Sequence, residues 1–269
     1  MRKVFIVISA LLAFDLIALI WIKSKDEQLQ LPQPRPQFSS VSQNFQSDSP
    51  KLLINFLDIG QGDASYIIFP TGEDMLVDCA KDARVLAALG RTMDWLDREI
   101  DYLIVTHPDM DHYGGCIDVM KRYRIKHIIT NGGRKEYDEV WRAFWETVQT
   151  EISEGAEYRE IAAEETQTVA SSTIHFLFPD KPVAEISGDV ENNNKSIVFT
   201  LTYGGTKVLF TADAEKELEE YLVQKYGDIL DADVLKVGHH GSFSSSNQPF
   251  VDAVTPSYAM ISVGAENKY

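Results

Sequence analysis

Apolar positions divide the chain into three stretches of unlike character. Val4 to Ile22 is a continuous run of 19 residues broken only by Ser9 and Asp15. At ~1.5 Å per helical residue it nearly spans a hydrocarbon core of ~30 Å. Arg2 and Lys3 precede it, and Lys23 and Lys25 follow it. Asp15 costs roughly 2.5–3.5 kcal/mol at mid-span, which the surrounding Leu, Ile, Phe and Val offset. The run is longer than the apolar part of a cleaved signal peptide and has no small-x-small site after Ile22. Residues 1–25 are therefore expected to be a signal anchor, one transmembrane helix in the cell membrane with the remaining chain extracytoplasmic. Residues 26–50 are rich in Gln, Ser and Pro, and Pro32, Pro34 and Pro36 deny helix. They read as a flexible tether. The domain at 51–269 has the length for a real core.

Within that domain, strand patterns fall at Leu52–Leu57, Ser65–Phe69, Met75–Val77, Tyr102–Thr106, Ile128–Ile129, Thr173–Phe178, Ile197–Thr202, Lys207–Thr211, Val234–Val237 and Tyr258–Val263. Helical spacing covers Asp82–Arg98, resumes from Tyr113, and returns at Tyr137–Val148 and Glu215–Tyr226. Gly204-Gly205 is a hairpin turn. Hairpins come first and helix–strand alternation follows, twice over. That predicts two β-sheets with helices on their outer faces. The acidic stretch Glu151–Glu165 reads as a solvated face or loop.

Charge narrows the function. Lysine and arginine number 25 against 41 acidic residues, a net charge of −16. Such a chain does not grip nucleic acid with a broad basic face, although bound cations could still present a phosphate. Two cysteines are too few for a disulfide scaffold.

The chemistry gathers at strand ends. Thr106-His107-Pro108-Asp109-Met110-Asp111-His112 places two imidazoles and two carboxylates on one turn. Packed so closely they would repel and shift one another's protons, which a divalent cation resolves. Asp213 stands where a strand meets a helix, either as a ligand or as an N-cap. Val237-Gly238-His239-His240-Gly241-Ser242 follows another strand.

With Phe56-Leu57-Asp58-Ile59-Gly60-Gln61-Gly62-Asp63-Ala64, Leu76-Val77-Asp78, Gly114-Gly115 and Asn193-Asn194-Lys195-Ser196, these segments resemble the metallo-β-lactamase superfamily. Within it they resemble the hydrolase-like domain of ComEC-type DNA-uptake (competence) proteins. The resemblance covers most of residues 52–264. It implies an α+β fold, the four-layer αββα sandwich, with two divalent metal ions between the sheets. His107 and Asp109 would hold one metal. Asp111, His112 and His239 would hold the other, and Asp213 would bridge them. Asp111 and Asp213 would thereby serve catalysis, with His240 and Ser242 contacting phosphate or leaving group and Asp78 orienting the ligands. Asn192 occupies a place where many relatives have histidine, and Asp109 likewise replaces one. Both changes enrich oxygen donors, so Mn²⁺ is expected ahead of Zn²⁺. Asp58 and Asp63 are not expected to be ligands, and Ser244, Ser245 and Ser246 read as a polar loop. His127 and His175 are expected to be structural. Cys79 and Cys116 fall near the site, where two free thiols are expected and a disulfide is the alternative.

The implied activity is that of a membrane-anchored phosphodiesterase or DNase. Two alternatives stand beside it: the same fold cleaving a small ester, lactone or amide, and a non-catalytic module binding DNA or a protein partner. ComEC-type proteins carry many membrane spans, whereas this sequence has one such run, so a channel role is not carried over. The family pattern continues with Gly-His-Pro and closing strands beyond Asn267-Lys268-Tyr269. Their lack here suggests a fragment or an exposed sheet edge.

Overall fold

Strict alternation along the central strands dictates a layered molecule. In β4 (Glu99–Val105), Ile104 faces one side while Leu103 and Val105 face the other, and all three are fully buried. A strand buried on both faces needs a layer on each side. The computed structural model describes residues 51–186 and 192–264. The expected anchor and tether lie outside them, and no helix among the described residues is long and apolar enough to cross a membrane.

The first sheet runs β1 (Leu53–Phe56), β2 (Ser65–Ile68), β3 (Asp74–Val77), β4, β5 (Arg124–Thr130) and β6 (Glu157–Glu160), in that order. Its first three strands pair antiparallel, and β3 to β6 pair parallel. The second sheet has the order β12 (Tyr258–Met260), β11 (Val234–Lys236), β10 (Thr206–Phe210), β9 (Val198–Tyr203), β8 (Ser172–Phe178) and β7 (Glu165–Val169). Here β7 to β10 are antiparallel and β10 to β12 parallel. Between the sheets, Ile67, Met75, Ile104 and Ile129 meet Ile174, Phe176, Phe199 and Phe210. Phe199 and Phe210 stack at 4.7 Å between ring centroids.

The helices α1 (Arg84–Leu89), α2 (Met110–Tyr113), α3 (Cys116–Arg122) and α4 (Glu139–Ser153) belong to the first half; α5 (Lys216–Tyr226) and α6 (Gln248–Val254) belong to the second. Val85, Leu89, Val119, Trp141 and Phe144 cover the first sheet, while Leu218, Leu222 and Phe250 cover the second. The expected αββα sandwich is what these layers form.

Three local expectations are corrected. The helix expected over Asp82–Arg98 ends at Leu89. Thr92 Oγ1 bonds back to the Leu89 carbonyl at 3.0 Å, and Asp94 accepts from the Leu96 amide at 2.9 Å, so side chains there favour turns over helix. Of the solvated face or loop expected over Glu151–Glu165, the face is what forms and the loop is not: the stretch contains the end of α4 and all of β6, and β7 starts at Glu165. These are edge strands, where charged side chains discourage pairing with foreign chains and mask the strand signal. Cys79 and Cys116 are joined in a disulfide rather than free, with Cα atoms 5.1 Å apart.

Candidate metal centre

Every ligand-type segment leaves the carboxyl end of a strand. Asp78 follows β3, His107 follows β4, Asp213 follows β10 and His240 follows β11. Parallel pairing aligns the ends within each sheet, and the Ile197 amide bonds the Thr106 carbonyl across the sandwich at 2.9 Å. Gly62 closes the site from a third side. Its φ is +107°, and a Cβ there would stand 2.4 Å from the Asp111 carbonyl, so only glycine permits this approach.

Asp78 organises the histidines. Its carboxylate accepts from the Thr106 amide, the Thr106 hydroxyl and His112 Nδ1, each at 2.8 Å. A carboxylate can only accept here, so His112 carries a proton on Nδ1 and turns Nε2 inward. Thr106 Oγ1, having donated to Asp78, accepts from His107 Nδ1 at 3.1 Å and frees His107 Nε2 in the same way. Asp213 Oδ2 lies 3.1 Å from His112 Nε2, 3.4 Å from His240 Nε2 and 3.9 Å from His107 Nε2. Asp111 Oδ2 is 3.4 Å from His240 Nε2.

Three overlapping groups have donor atoms close enough to share a cation: His107, His112 and Asp213; Asp111, His112 and His240; and Asp63, Asp213 and His240. His107 Nε2, His112 Nε2, both His240 nitrogens and Asp213 Oδ1 are buried without a hydrogen-bond partner among the described residues. Buried polar atoms left without partners are costly, and a bound cation would partner the nitrogens and the carboxylate together. The donor set therefore fits divalent cations. Backbone strain points the same way, because Asp78, Ala212, His239 and His240 all have φ between +44° and +58°.

The structure redistributes the expected roles. His240, not His239, turns into the cluster. Consecutive left-handed residues swing the two rings apart, and His239 Nδ1 is instead held 2.9 Å from Glu215 Oε1 and 2.9 Å from Ser244 Oγ. Asp63, set aside on sequence, belongs to a cation-ready group and pairs with buried Lys236 at 2.7 Å. Asp109 lies 3.7 Å from His107 but is engaged by Lys135, with Asn192 Nδ2 3.3 Å away. Ser242 is directed to Ser244, 3.1 Å away, and not to the cluster. Nor are the next serines a free polar loop: Ser245 Oγ bonds the Gly238 carbonyl, and the Ser246 amide bonds Glu219 of α5. These contacts brace the turn that presents His240. His127, stacked on Tyr102, and His175, paired with Glu164, stand apart from the site. The signal for Asp63 and Lys236 was present as a carboxylate beside two glycines and a lysine inside an apolar strand.

Protonation in the metal-free chain follows the packing. Burial holds His107 down at about 4. Burial also opposes charge on His112, but Asp213 and Asp78 outweigh it and keep that ring well above the usual imidazole range. Charge on His240 is likewise disfavoured by burial, yet the facing carboxylates of Asp111 and Asp213, each 3.4 Å away, lift it to about 9. Both carboxylates respond in kind. Burial pushes them up, and the facing imidazoles pull them well below the ordinary range. Coordination requires neutral imidazole, so at pH 7 both His112 and His240 must lose a proton when a cation binds. Metal binding at pH 7 is expected to release these protons. Apparent affinity should rise about tenfold per pH unit per released proton through the neutral range. Calorimetric titration in buffers of different ionisation enthalpy reads this directly; no buffer dependence would refute it.

The chain belongs to the metallo-β-lactamase superfamily, whose family model matches residues 58–265. Its curated relatives are competence proteins of the ComEC type. It is 28% identical over 244 residues to ComE operon protein 3 of Bacillus subtilis, covering 80% of this chain and 29% of the relative. It is 32% identical over 213 residues to competence protein ComA of Neisseria gonorrhoeae, covering 79% and 27% respectively. The chain thus spans under a third of the length of these relatives. Among solved structures, a variant of the β-hydroxylase CmlA matches with a TM-score of 0.51 at 16% identity, covering 81% of this chain and 47% of that one. CmlA from Streptomyces venezuelae is described as a diiron enzyme. This likeness concerns the fold alone.

Proposed function

We propose that this chain is a metal-dependent hydrolase that cleaves phosphodiesters, DNA among them, outside the cytoplasm. Residues 1–25 would hold it in the membrane and 26–50 would tether the 51–269 domain. The observation that carries the reading is the convergence of His107, Asp111, His112, Asp213 and His240 at one set of strand ends, with inward nitrogens that have no hydrogen-bond partner among the described residues. Similarity to competence proteins supports a nucleic-acid substrate. The Cys79–Cys116 bond supports an oxidising compartment.

Two divalent cations held by these side chains would supply an activated water near neutral pH and offset charge on phosphate oxygens. Asp213 stands central to the histidines, where one carboxylate can serve both positions. Asp78 fixes ring orientation from behind, and Lys236 draws Asp63 toward His240. With Asp63 and His240 included, nitrogen and oxygen donors are balanced. Mn²⁺ remains our first choice and Zn²⁺ the second.

A purified full-length chain in detergent is expected to cleave single-stranded DNA and bis(p-nitrophenyl) phosphate with Mn²⁺ and to lose that activity with a chelator. Cleavage of p-nitrophenyl acetate alone would replace this reading with the small-ester alternative, which the net charge of −16 favours. A metal-loaded chain that cleaves none of the three would leave only the binding-module reading.

A further inference from the structure

We propose that the cleft beside the cluster is a subsite for one anionic phosphodiester group, with Lys81 as its cation and Gln61 and His239 as further hydrogen-bond partners. This deepens the phosphodiesterase reading and rests on it.

A cavity of about 310 Å³ opens onto Asp111 and His240 and is walled by Gln61, Lys81 and His239. Three neighbouring cations are already matched. Arg84 grips Asp82 through two bonds of 2.8 and 3.0 Å, Lys135 engages Asp109, and Lys236 pairs with Asp63. Lys81 is exposed and forms no ion pair within 4 Å among the described residues.

The base of Lys81 is nevertheless fixed. The Ala80 amide bonds the Asp63 carbonyl at 2.8 Å, and the Ala80 carbonyl accepts from the Gly115 amide at 3.1 Å. The Lys81 carbonyl occupies the space where a Cβ on Gly114 would be, 2.1 Å from that position. The Cys79–Cys116 bond anchors the same segment. An unmatched ammonium is thus mounted on a rigid base beside the metal-ligand groups. His239 is prepared similarly. Glu215 and Ser244 take its Nδ1, which leaves Nε2 as the ring nitrogen available to a ligand in the cleft.

An uncharged ester, lactone or amide has no use for such a cation, whereas the non-bridging oxygens of a diester do. One lysine and so small a cavity also limit the contact to a single phosphate. In a chain of net charge −16, no basic track extends it along a duplex. The substrate class is therefore a short diester or the end of a single strand.

The test uses the full-length, Mn²⁺-loaded chain and two dithymidine ligands: the anionic phosphorothioate diester and its uncharged methylphosphonate counterpart. Calorimetry is expected to show the anionic ligand bound at least tenfold more tightly by the wild type. Lys81→Ala should narrow that gap about tenfold, and Lys81→Arg should restore most of it, with metal content equal in all three. A gap that Lys81→Ala leaves unchanged, or a wild type that binds neither ligand or both alike, would overturn the subsite. A Lys81-dependent gap in a chain that cleaves no diester would retain the subsite and remove the hydrolase reading. Cleavage with a Lys81-independent gap would do the reverse.

Discussion

Asp213→Ala is expected to reduce diester cleavage by more than the roughly 10- to 100-fold that follows loss of a group merely supporting a ligand. It should also lower the metal content of the purified chain. Asp213 is the carboxylate shared between the group containing His107 and His112 and the group containing Asp63 and His240. Its Oδ2 lies within 3.9 Å of three imidazoles. Removing it deprives both positions at once and leaves His112 with only Asp78, and His240 chiefly with Asp111, to hold its proton in the metal-free chain. Asp78→Asn supplies the contrast. It keeps the shape and an acceptor for the Thr106 amide, but it puts an NH₂ donor where Oδ2 accepts from the Thr106 hydroxyl and His112 Nδ1, so it no longer enforces the His112 tautomer; a loss within the 10- to 100-fold range is expected, with weaker metal retention. Elemental analysis beside initial rates distinguishes the two. An Asp213→Ala chain with full metal and full activity, folded by circular dichroism, would remove Asp213 from the centre.

Breaking the Cys79–Cys116 bond is expected to cost about 3–4 kcal/mol of stability. The bond spans 37 positions, and closing a loop of that length restricts the unfolded chain by roughly this amount. For a domain of this size the midpoint of thermal unfolding should fall by about 6–16 °C. The Cys79→Ser/Cys116→Ser pair, compared with the oxidised wild type by thermal and urea unfolding, checks this; unchanged midpoints would contradict it. The consequence reaches the site, because Cys79 follows Asp78 directly and its amide bonds the His112 carbonyl at 2.7 Å. The disulfide ties the strand end that orients His112 to the helix that follows the metal-ligand turn. A weaker hold on metal should therefore accompany the loss of stability.

The parts legible in the sequence were those written in local patterns. Buried strands such as β4 and β9 announce themselves by unbroken apolar runs, and Trp141 and Phe144 by helical spacing on one face of α4. The turn from His107 to His112 was legible because four ligand-type side chains crowd one segment. Edge strands β6 and β7 were not, since their charged alternation serves solvent and negative pairing, not a core. Choosing between His239 and His240 was also beyond local pattern. Both follow β11, and two successive left-handed backbone conformations decide which ring faces inward.

Composition and order along the chain determined which chemistry is present: the strand ends, the imidazoles and carboxylates placed there, and an acidic surface unsuited to broad nucleic-acid contact. Only the folded arrangement decided which of those groups meet. Asp63 reaches Lys236 across 173 positions, and Cys79 reaches Cys116 across 37. The physical reason is that ligation and covalent pairing depend on distances of a few ångströms between atoms far apart in the chain, which packing of the two sheets sets and residue spacing does not.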